Sequence, residues 1–429
     1  MSDKTSSRTM LRVPAWLIWV AVFALLLSFP LYSLVTLWYS ETKGPFKNWM
    51  QVVDLNGDGN LDVLVSHTRW EAVDISWAGI GRWINQGNGT FELIHDEQME
   101  YFSAFAADAG DVDIDGDADL LTQDFNLHLL VNQGGIQEGQ IGKFQVRDTL
   151  NSPFALDSGH PDMGGTFQTG DFNRDGRIDA LVIGCCYGMG PIKTKDGFLL
   201  SPSMSWIWIN DSEEQGFVDG HDIPMDFLNG IPIREAALGD IDGDGNLDVF
   251  AAVGKPTIGK TVSLSDLLLL NDGTGTLTIS DQQLGNTDST SVALADVNGD
   301  ARLDALVGTT NGAKLWLNQN NKADNHIPVF TPSEQSFGGA RLKAVFLADL
   351  DENGDMDALF AGTHRAVLWW NNGQGEFSES DIHFNYQEDT GLAVGDFDGD
   401  GDQDLFAGNN NGYYRIWFND GNGNFSSAK

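Results

Sequence analysis

Short apolar runs alternate along the chain with acidic, glycine-rich segments, and the alternation recurs seven times. Val63-Leu64-Val65, Ala305-Leu306-Val307 and Leu405-Phe406-Ala407 each directly follow a nine-residue stretch with polar side chains at alternate positions. Three consecutive apolar residues between such stretches predict a strand buried on both faces. A β-rich lead-in precedes each acidic stretch, as in Leu392-Ala393-Val394-Gly395. A further apolar segment follows and ends in Asn: Trp83-Ile84-Asn85, Leu129-Leu130-Val131-Asn132, Trp206-Ile207-Trp208-Ile209-Asn210, Leu269-Leu270-Asn271, Leu315-Trp316-Leu317-Asn318, Leu368-Trp369-Trp370-Asn371 and Ile416-Trp417-Phe418-Asn419. Glycine-rich turns such as Gly87-Asn88-Gly89 and Gly421-Asn422-Gly423 come next, then segments opened by Phe91, Phe377 or Phe425. Those turns suit tight hairpins. Each unit therefore predicts four short antiparallel strands, and a four-stranded sheet repeated four to eight times is the blade of a β-propeller.

The predicted fold class is all-β, a seven-bladed β-propeller, preceded by one N-terminal transmembrane helix. Complete blades at both ends of residues 41–429 predict that blade one meets blade seven without a covalent link. Trp208, Trp316, Trp369 and Trp417 are expected in the core between blades rather than on a ligand platform.

The acidic stretches share one frame. Positions 1, 3, 5, 7 and 9 are Asp54, Asn56, Asp58, Asn60 and Asp62 in the first, and Asp111, Asp113, Asp115, Asp117 and Asp119 in the second. The third has Asp171, Asn173, Asp175, Arg177 and Asp179; the fourth Asp240, Asp242, Asp244, Asn246 and Asp248. The fifth has Asp296, Asn298, Asp300, Arg302 and Asp304; the sixth Asp349, Asp351, Asn353, Asp355 and Asp357; the seventh Asp396, Asp398, Asp400, Asp402 and Asp404. Their starts lie 57, 60, 69, 56, 53 and 47 residues apart.

Oxygen donors at alternate positions of a short loop match a hard cation. Ca²⁺ takes six to eight oxygens at about 2.3–2.6 Å, and a glycine at position 6 permits the sharp turn. Gly59, Gly116, Gly176, Gly245, Gly354 and Gly401 fill that position, while the fifth loop has Ala301 and so requires a strained backbone there. Position 7 ligates through its carbonyl, which makes Arg177 and Arg302 tolerable. An EF-hand needs a bidentate Glu at position 12. That position holds Val65, Thr122, Val182, Ala251, Val307, Phe360 and Ala407, so the EF-hand is rejected. The alternative of metal-free Asp/Gly turns must place 3, 5, 3, 4, 3, 4 and 5 carboxylates in the successive loops without a counter-ion. Up to seven structural Ca²⁺ are therefore expected.

From Val13 to Ser40 no residue is charged. About 20 helical residues cross a bilayer, so residues 13–40 are predicted as a signal-anchor helix. Lys4, Arg8 and Arg12 precede the run, while Glu41 and Lys43 nearly cancel after it. The positive-inside rule then leaves residues 1–12 in the cytoplasm and puts the propeller in the periplasm or outside the cell. A cleaved signal peptide is the alternative, and it also exports the remainder; the apolar core is long for one.

The chain has 24 Lys plus Arg against 62 Asp plus Glu, a net charge of -38. No basic footprint exists for nucleic acid, which is excluded as the main partner. No nucleophile elbow, paired-His zinc motif or phosphate-binding glycine loop occurs, so no enzyme activity is expected. Cys185 and Cys186 are the only cysteines, which excludes a disulfide framework; a vicinal disulfide and two thiols both stay open.

The run Gly395 to Gly408 resembles the FG-GAP/VCBS repeat of integrin α-subunit propellers and of exported bacterial proteins. The resemblance extends over residues 46–429. It implies a seven-bladed propeller whose calcium loops join the first two strands of each blade. Gly408-Asn409-Asn410, Gly308-Thr309-Thr310 and Gly362-Thr363-His364 replace the trailing GAP, which fits the bacterial type. The expected role is a membrane-anchored module that binds a protein or glycan, through loops on the face opposite the acidic ones. Candidate segments contain Arg69, Trp70 and Trp77, then Phe154 to Phe167 with His160 and Asp162, Tyr187 to Trp206, and Lys255 to Lys260. A non-catalytic subunit of a membrane complex is the alternative, ahead of a propeller enzyme with a site on the ring face.

Overall fold

A computed structural model of the chain describes residues 50–68, 78–94, 106–123, 127–133, 144–150, 166–185, 204–210, 221–225, 231–255, 265–285, 288–319, 328–388, 390–409 and 412–428, with a few shorter pieces between them. Among these are seven four-stranded antiparallel sheets. Blade one comprises Met50–Val53, Asp62–Thr68, Ala78–Asn85 and Phe91–Ile94. Blade two comprises Ala106–Gly110, Asp119–Gln123, Leu127–Asn132 and Phe144–Leu150, and blade three Thr166–Gly170, Asp179–Cys185, Met204–Ile209 and His221–Pro224. Blade four is Ile233–Gly239, Asp248–Val253, Leu267–Asn271 and Leu277–Ile279; blade five is Ser289–Ala295, Asp304–Thr309, Gly312–Asn318 and Phe330–Pro332. Blade six is Ala344–Ala348, Asp357–Ala361, Arg365–Asn371 and Phe377–Asn385; blade seven is Gly391–Gly395, Asp404–Gly408, Tyr414–Phe418 and Ser426–Ala428. In every blade the strands pair in chain order.

The segments predicted from residues 13–40 and around Arg69, Trp70, Trp77, His160, Asp162 and Cys186 lie outside the described residues, as do most of 187–203 and 256–260. Among the described residues no helix is long and apolar enough to cross a membrane.

First strands of neighbouring blades lie against one another from blade one through blade six, and the first strand of blade one lies against that of blade seven. The first strand is thus innermost, and the ring closes. The second strands are the uninterrupted apolar runs of the sequence, and Val63, Leu64, Val65, Ala305, Leu306 and Val307 are all fully buried. Fully burying one such side chain stabilises the fold by about 1.5–3 kcal/mol.

Most of that burial occurs between blades. Trp208 packs in a cluster shared by blades two and three, Trp316 by blades four and five, and Trp417 by blades six and seven, with Trp369 half-buried between blades five and six. The inner strands end in residues that admit the next blade closely. A Cβ on Gly110, Gly170 or Gly239 would come within 2.4–2.7 Å of Ile178, Leu247 or Leu303, the position-8 side chains of the following loops. Glycine is needed there because another side chain already fills the space.

Two polar knots hold this scaffold, one half-buried at Asp108 and one buried at Asp266. Asp108, on the inner strand of blade two, accepts from Thr169 N at 2.6 Å and Thr169 Oγ1 at 2.8 Å across to blade three. Asp266, at the head of the third strand of blade four, accepts from Val253 N at 2.8 Å and Ser289 Oγ at 3.0 Å. Burial pushes the Asp266 carboxyl up to about 7, against the opposing effect of those bonds. The folded state then holds a proton that the unfolded carboxyl has released. Stability from this group is present in full below about pH 4 and is lost as pH rises through 7. Asp266→Asn stays neutral throughout. Its melting temperature relative to the parent is expected to rise by about 2 °C or more between pH 5 and pH 8. A constant gap would show that no proton is held at Asp266.

Candidate metal centres

Every acidic loop joins the first and second strands of its blade, as the resemblance implied. The position-1 aspartate organises the loop. Asp54 Oδ1 accepts from Gly57 N at 2.8 Å and Asp58 N at 3.2 Å, and its Oδ2 accepts from Gly59 N at 2.8 Å. The position-6 N–H reaches the corresponding aspartate at 3.1 Å from Gly116, 2.8 Å from Gly176, 2.9 Å from Gly354 and 3.1 Å from Gly401. Turning that N–H inward needs a left-handed backbone, with φ from +86° to +103° at the six glycines. Ala301 adopts φ +63°, the strain its sequence position implied, and still donates to Asp296 at 2.6 Å.

Position 4 is also left-handed in every loop, a requirement not drawn from the sequence. Gly57, Gly243, Gly299 and Gly399 meet it without cost, whereas Ile114, Arg174 and Glu352 adopt φ of 61°, 60° and 56°. The signal was present as glycine in four of seven copies.

Position 9 points into the protein. Asp62, Asp119, Asp179, Asp248, Asp304, Asp357 and Asp404 are all fully buried. Their Oδ2 atoms accept from the position-2 N–H of Leu55, Val112, Phe172, Ile241, Val297, Leu350 and Phe397 at 2.8–3.2 Å. Their Oδ1 atoms accept from the backbone N–H of the asparagine closing the third strand, at 2.7–2.9 Å.

The same asparagines reach across to the preceding blade. Asn132, Asn210, Asn271, Asn318, Asn371 and Asn419 donate through Nδ2 to the position-2 carbonyls of Leu55, Val112, Phe172, Ile241, Val297 and Leu350, at 2.8–3.4 Å. Asn85 donates to Phe397 O at 2.7 Å and so joins blade one to blade seven. The recurring Asn was legible in sequence as a strand ending; its part as an inter-blade clasp required the topology.

Burial raises the position-9 carboxyls against the lowering effect of these backbone bonds, to about 7 at Asp62, Asp248, Asp357 and Asp404 and to about 6 at Asp119, Asp179 and Asp304. Holding them ionised calls for a positive charge in the loop.

Four loops bring carboxylates together as a metal would require. One oxygen from each of Asp111, Asp113 and Asp115 lies within 4.8 Å of the others, and so do oxygens of Asp240, Asp242 and Asp248, of Asp349, Asp351 and Asp357, and of Asp396, Asp398 and Asp404. Ligands on opposite sides of Ca²⁺ stand about 4.8 Å apart, twice a bond of about 2.4 Å, so the donor sets fit one ion each. The remaining members of the frame in the second, fourth, sixth and seventh loops are not among these converging groups. Loops one, three and five carry carboxylates at positions 1, 5 and 9 only, with Asn56, Asn173 and Asn298 at position 3.

The model of the FG-GAP-like repeat matches residues 54–122, 296–360 and 349–407, and that of the FG-GAP repeat matches 390–426. No curated protein matches the chain. Among solved structures, BBS1N in complex with ARL6DN, soaked with mercury, is 12% identical, with 86% of this chain and 91% of that chain covered at a TM-score of 0.50. The lead-soaked form of that complex gives 10%, 87%, 92% and 0.49. An Agrocybe aegerita lectin, described by its recognition of non-reducing terminal N-acetylglucosamine, gives 17%, 89%, 79% and 0.34. The mercury-soaked structure shares the fold, and at these identities nothing beyond it. With the matched segments covering five of the seven acidic loops, and all seven loops built alike, the chain is a seven-bladed FG-GAP repeat propeller.

Proposed function

We propose that this propeller is a calcium-stapled binding or assembly module, anchored in a membrane by residues 13–40 and presented outside the cytoplasm to a protein or glycan. The observation that carries the reading is the convergence of three carboxylates within 4.8 Å in four loops, each tied through its buried position-9 aspartate to the inter-blade clasp. Calcium there acts on the fold, because an ion that binds only the folded ring stabilises it by mass action. The acidic loops are thereby committed to structure, which leaves the opposite face for a ligand.

The full-length protein is to be purified in mild detergent after tagging. A stoichiometric co-purifying protein supports assembly, and a defined hit on a glycan array supports glycan recognition. Recovery from the soluble fraction with an intact N-terminus would refute the anchor.

A further inference from the structure

Two of the seven loops carry their own cation. Arg177, at position 7 of the third loop, places Nη2 at 2.5 Å from Asp175 Oδ2 and donates from Nε to Asn210 O at 2.7 Å. Arg302 repeats this in the fifth loop, pairing with Asp300 and donating from Nε to Asn318 O at 2.8 Å. Both guanidinium–carboxylate pairs are about three-quarters buried, with 24–27% of each side chain exposed. Each Arg thus bridges the position-5 carboxylate to the carbonyl of the clasp asparagine.

Position 7 elsewhere is a neutral amide in the first and fourth loops, Asn60 and Asn246, and a carboxylate in the second, sixth and seventh, Asp117, Asp355 and Asp402. Asn60 Nδ2 donates to Asp58 Oδ1 at 2.9 Å, and Asn246 Nδ2 donates to Asp244 Oδ2 at 2.7 Å and to Asn271 O at 3.3 Å. Asn246 and the two arginines therefore occupy one structural place, on the same two partners, and differ in charge. The third and fifth loops are also among those with only three carboxylates, and neither is among the four in which carboxylate oxygens converge. Arg174, at position 4 of the third loop, is directed instead to the fourth loop, where its Nη1 lies 3.4 Å from Asn246 Oδ1.

We infer that Arg177 and Arg302 replace the metal ion in the third and fifth loops, so that the propeller binds at most five Ca²⁺ and two of its staples are metal-independent. This rests on the calcium reading of the other loops. A divalent cation in either loop would share the position-5 carboxylate with a guanidinium that already neutralises it, and like charges at that range repel. In the third loop both oxygens of that carboxylate are already taken, Oδ2 by Arg177 Nη2 and Asn173 Nδ2 and Oδ1 by the Arg177 N–H. Expectation and structure part here: carbonyl ligation at position 7 makes Arg tolerable in principle, but the side chain takes the anion that the ion would need.

The test is a metal count on the full-length protein at saturating CaCl₂, by equilibrium dialysis and atomic emission. No more than five Ca²⁺ per chain are expected for the parent, and two more for the R177N/R302N double variant, which reproduces the donor set of the first loop. The single variants R177N and R302N should each add one, and they serve if the double variant does not fold. R177K, which keeps the charge, should leave the count unchanged. In excess chelator the double variant should melt below the parent, because both internal cations are gone. Seven ions in the parent, or an unchanged count in R177N/R302N, would overturn the inference while leaving calcium binding intact. No calcium in parent or variant would overturn it together with the calcium reading, and that signature is distinct.

Discussion

Stripping calcium from the full-length protein is expected to lower its melting temperature by roughly 10 °C or more, and restoring calcium to recover it. A site held at 100 times its dissociation constant stabilises a fold by about 2.7 kcal/mol, so four occupied loops give about 10 kcal/mol. Without the ion, Asp111, Asp113, Asp115, Asp117 and Asp119 put five carboxylates in nine residues, and the seventh loop does the same. That repulsion falls on the segments whose position-2 carbonyls receive the clasps from the next blade. Metal loss should therefore loosen blade-to-blade joints as well as loops. Differential scanning calorimetry with calcium and with excess chelator, alongside a metal count, measures it. Unchanged melting with no bound metal would remove the calcium reading and make the acidic loops the candidate contact surface.

Much of this architecture could be read from the chain because one pattern recurs. Apolar triplets such as Val63-Leu64-Val65 bury on both faces, and that demand is visible in composition. The fourfold strand unit followed from hairpin turns whose glycines sit at left-handed positions, including Gly87, Gly89, Gly421 and Gly423. The chain indicated apolar packing between blades through its tryptophans, but not the hydrogen bonds that join one blade to the next. Asn85 and Phe397 are 312 residues apart, and no local rule links them. Likewise, the sequence presented position 9 as one more oxygen among five. Only the fold shows Asp404 with both oxygens taken by backbone N–H groups of Phe397 and Asn419. Arg177 and Arg302 were visible as departures, but the carbonyls they reach belong to Asn210, 33 residues downstream, and Asn318, 16 residues downstream.

Trp83→Ala is expected to cost about 3–5 kcal/mol and to open the ring at one seam, between blades one and seven. Trp83 is buried, with its ring 4.9 Å from Tyr414 and 6.1 Å from Phe406, and its Nε1 donates to Asn409 O at 3.1 Å. Phe91 completes the aromatic cluster, 5.7 Å from Phe397 and 4.9 Å from Phe406. The backbone at Gly89 abuts the Phe418 ring, where a Cβ would come within 2.6 Å. Blades one and seven are not consecutive in the chain, so these contacts, the packing of their first strands and the Asn85 clasp set the local cost of opening. Trp316→Ala supplies the comparison. Trp316 is similarly buried between blades four and five, which the chain itself joins, and its loss removes packing without removing the seam. Hydrogen exchange should therefore accelerate in Met50–Val53 and Tyr414–Phe418 for Trp83→Ala, well ahead of the remaining strands. For Trp316→Ala, protection should fall evenly around the ring. Identical exchange patterns in the two variants would mean that closure is no weaker than any covalently continuous joint. Faster exchange confined to the seam would make it the place where this disc first comes apart, and the clasp from Asn85 the contact that chiefly delays it.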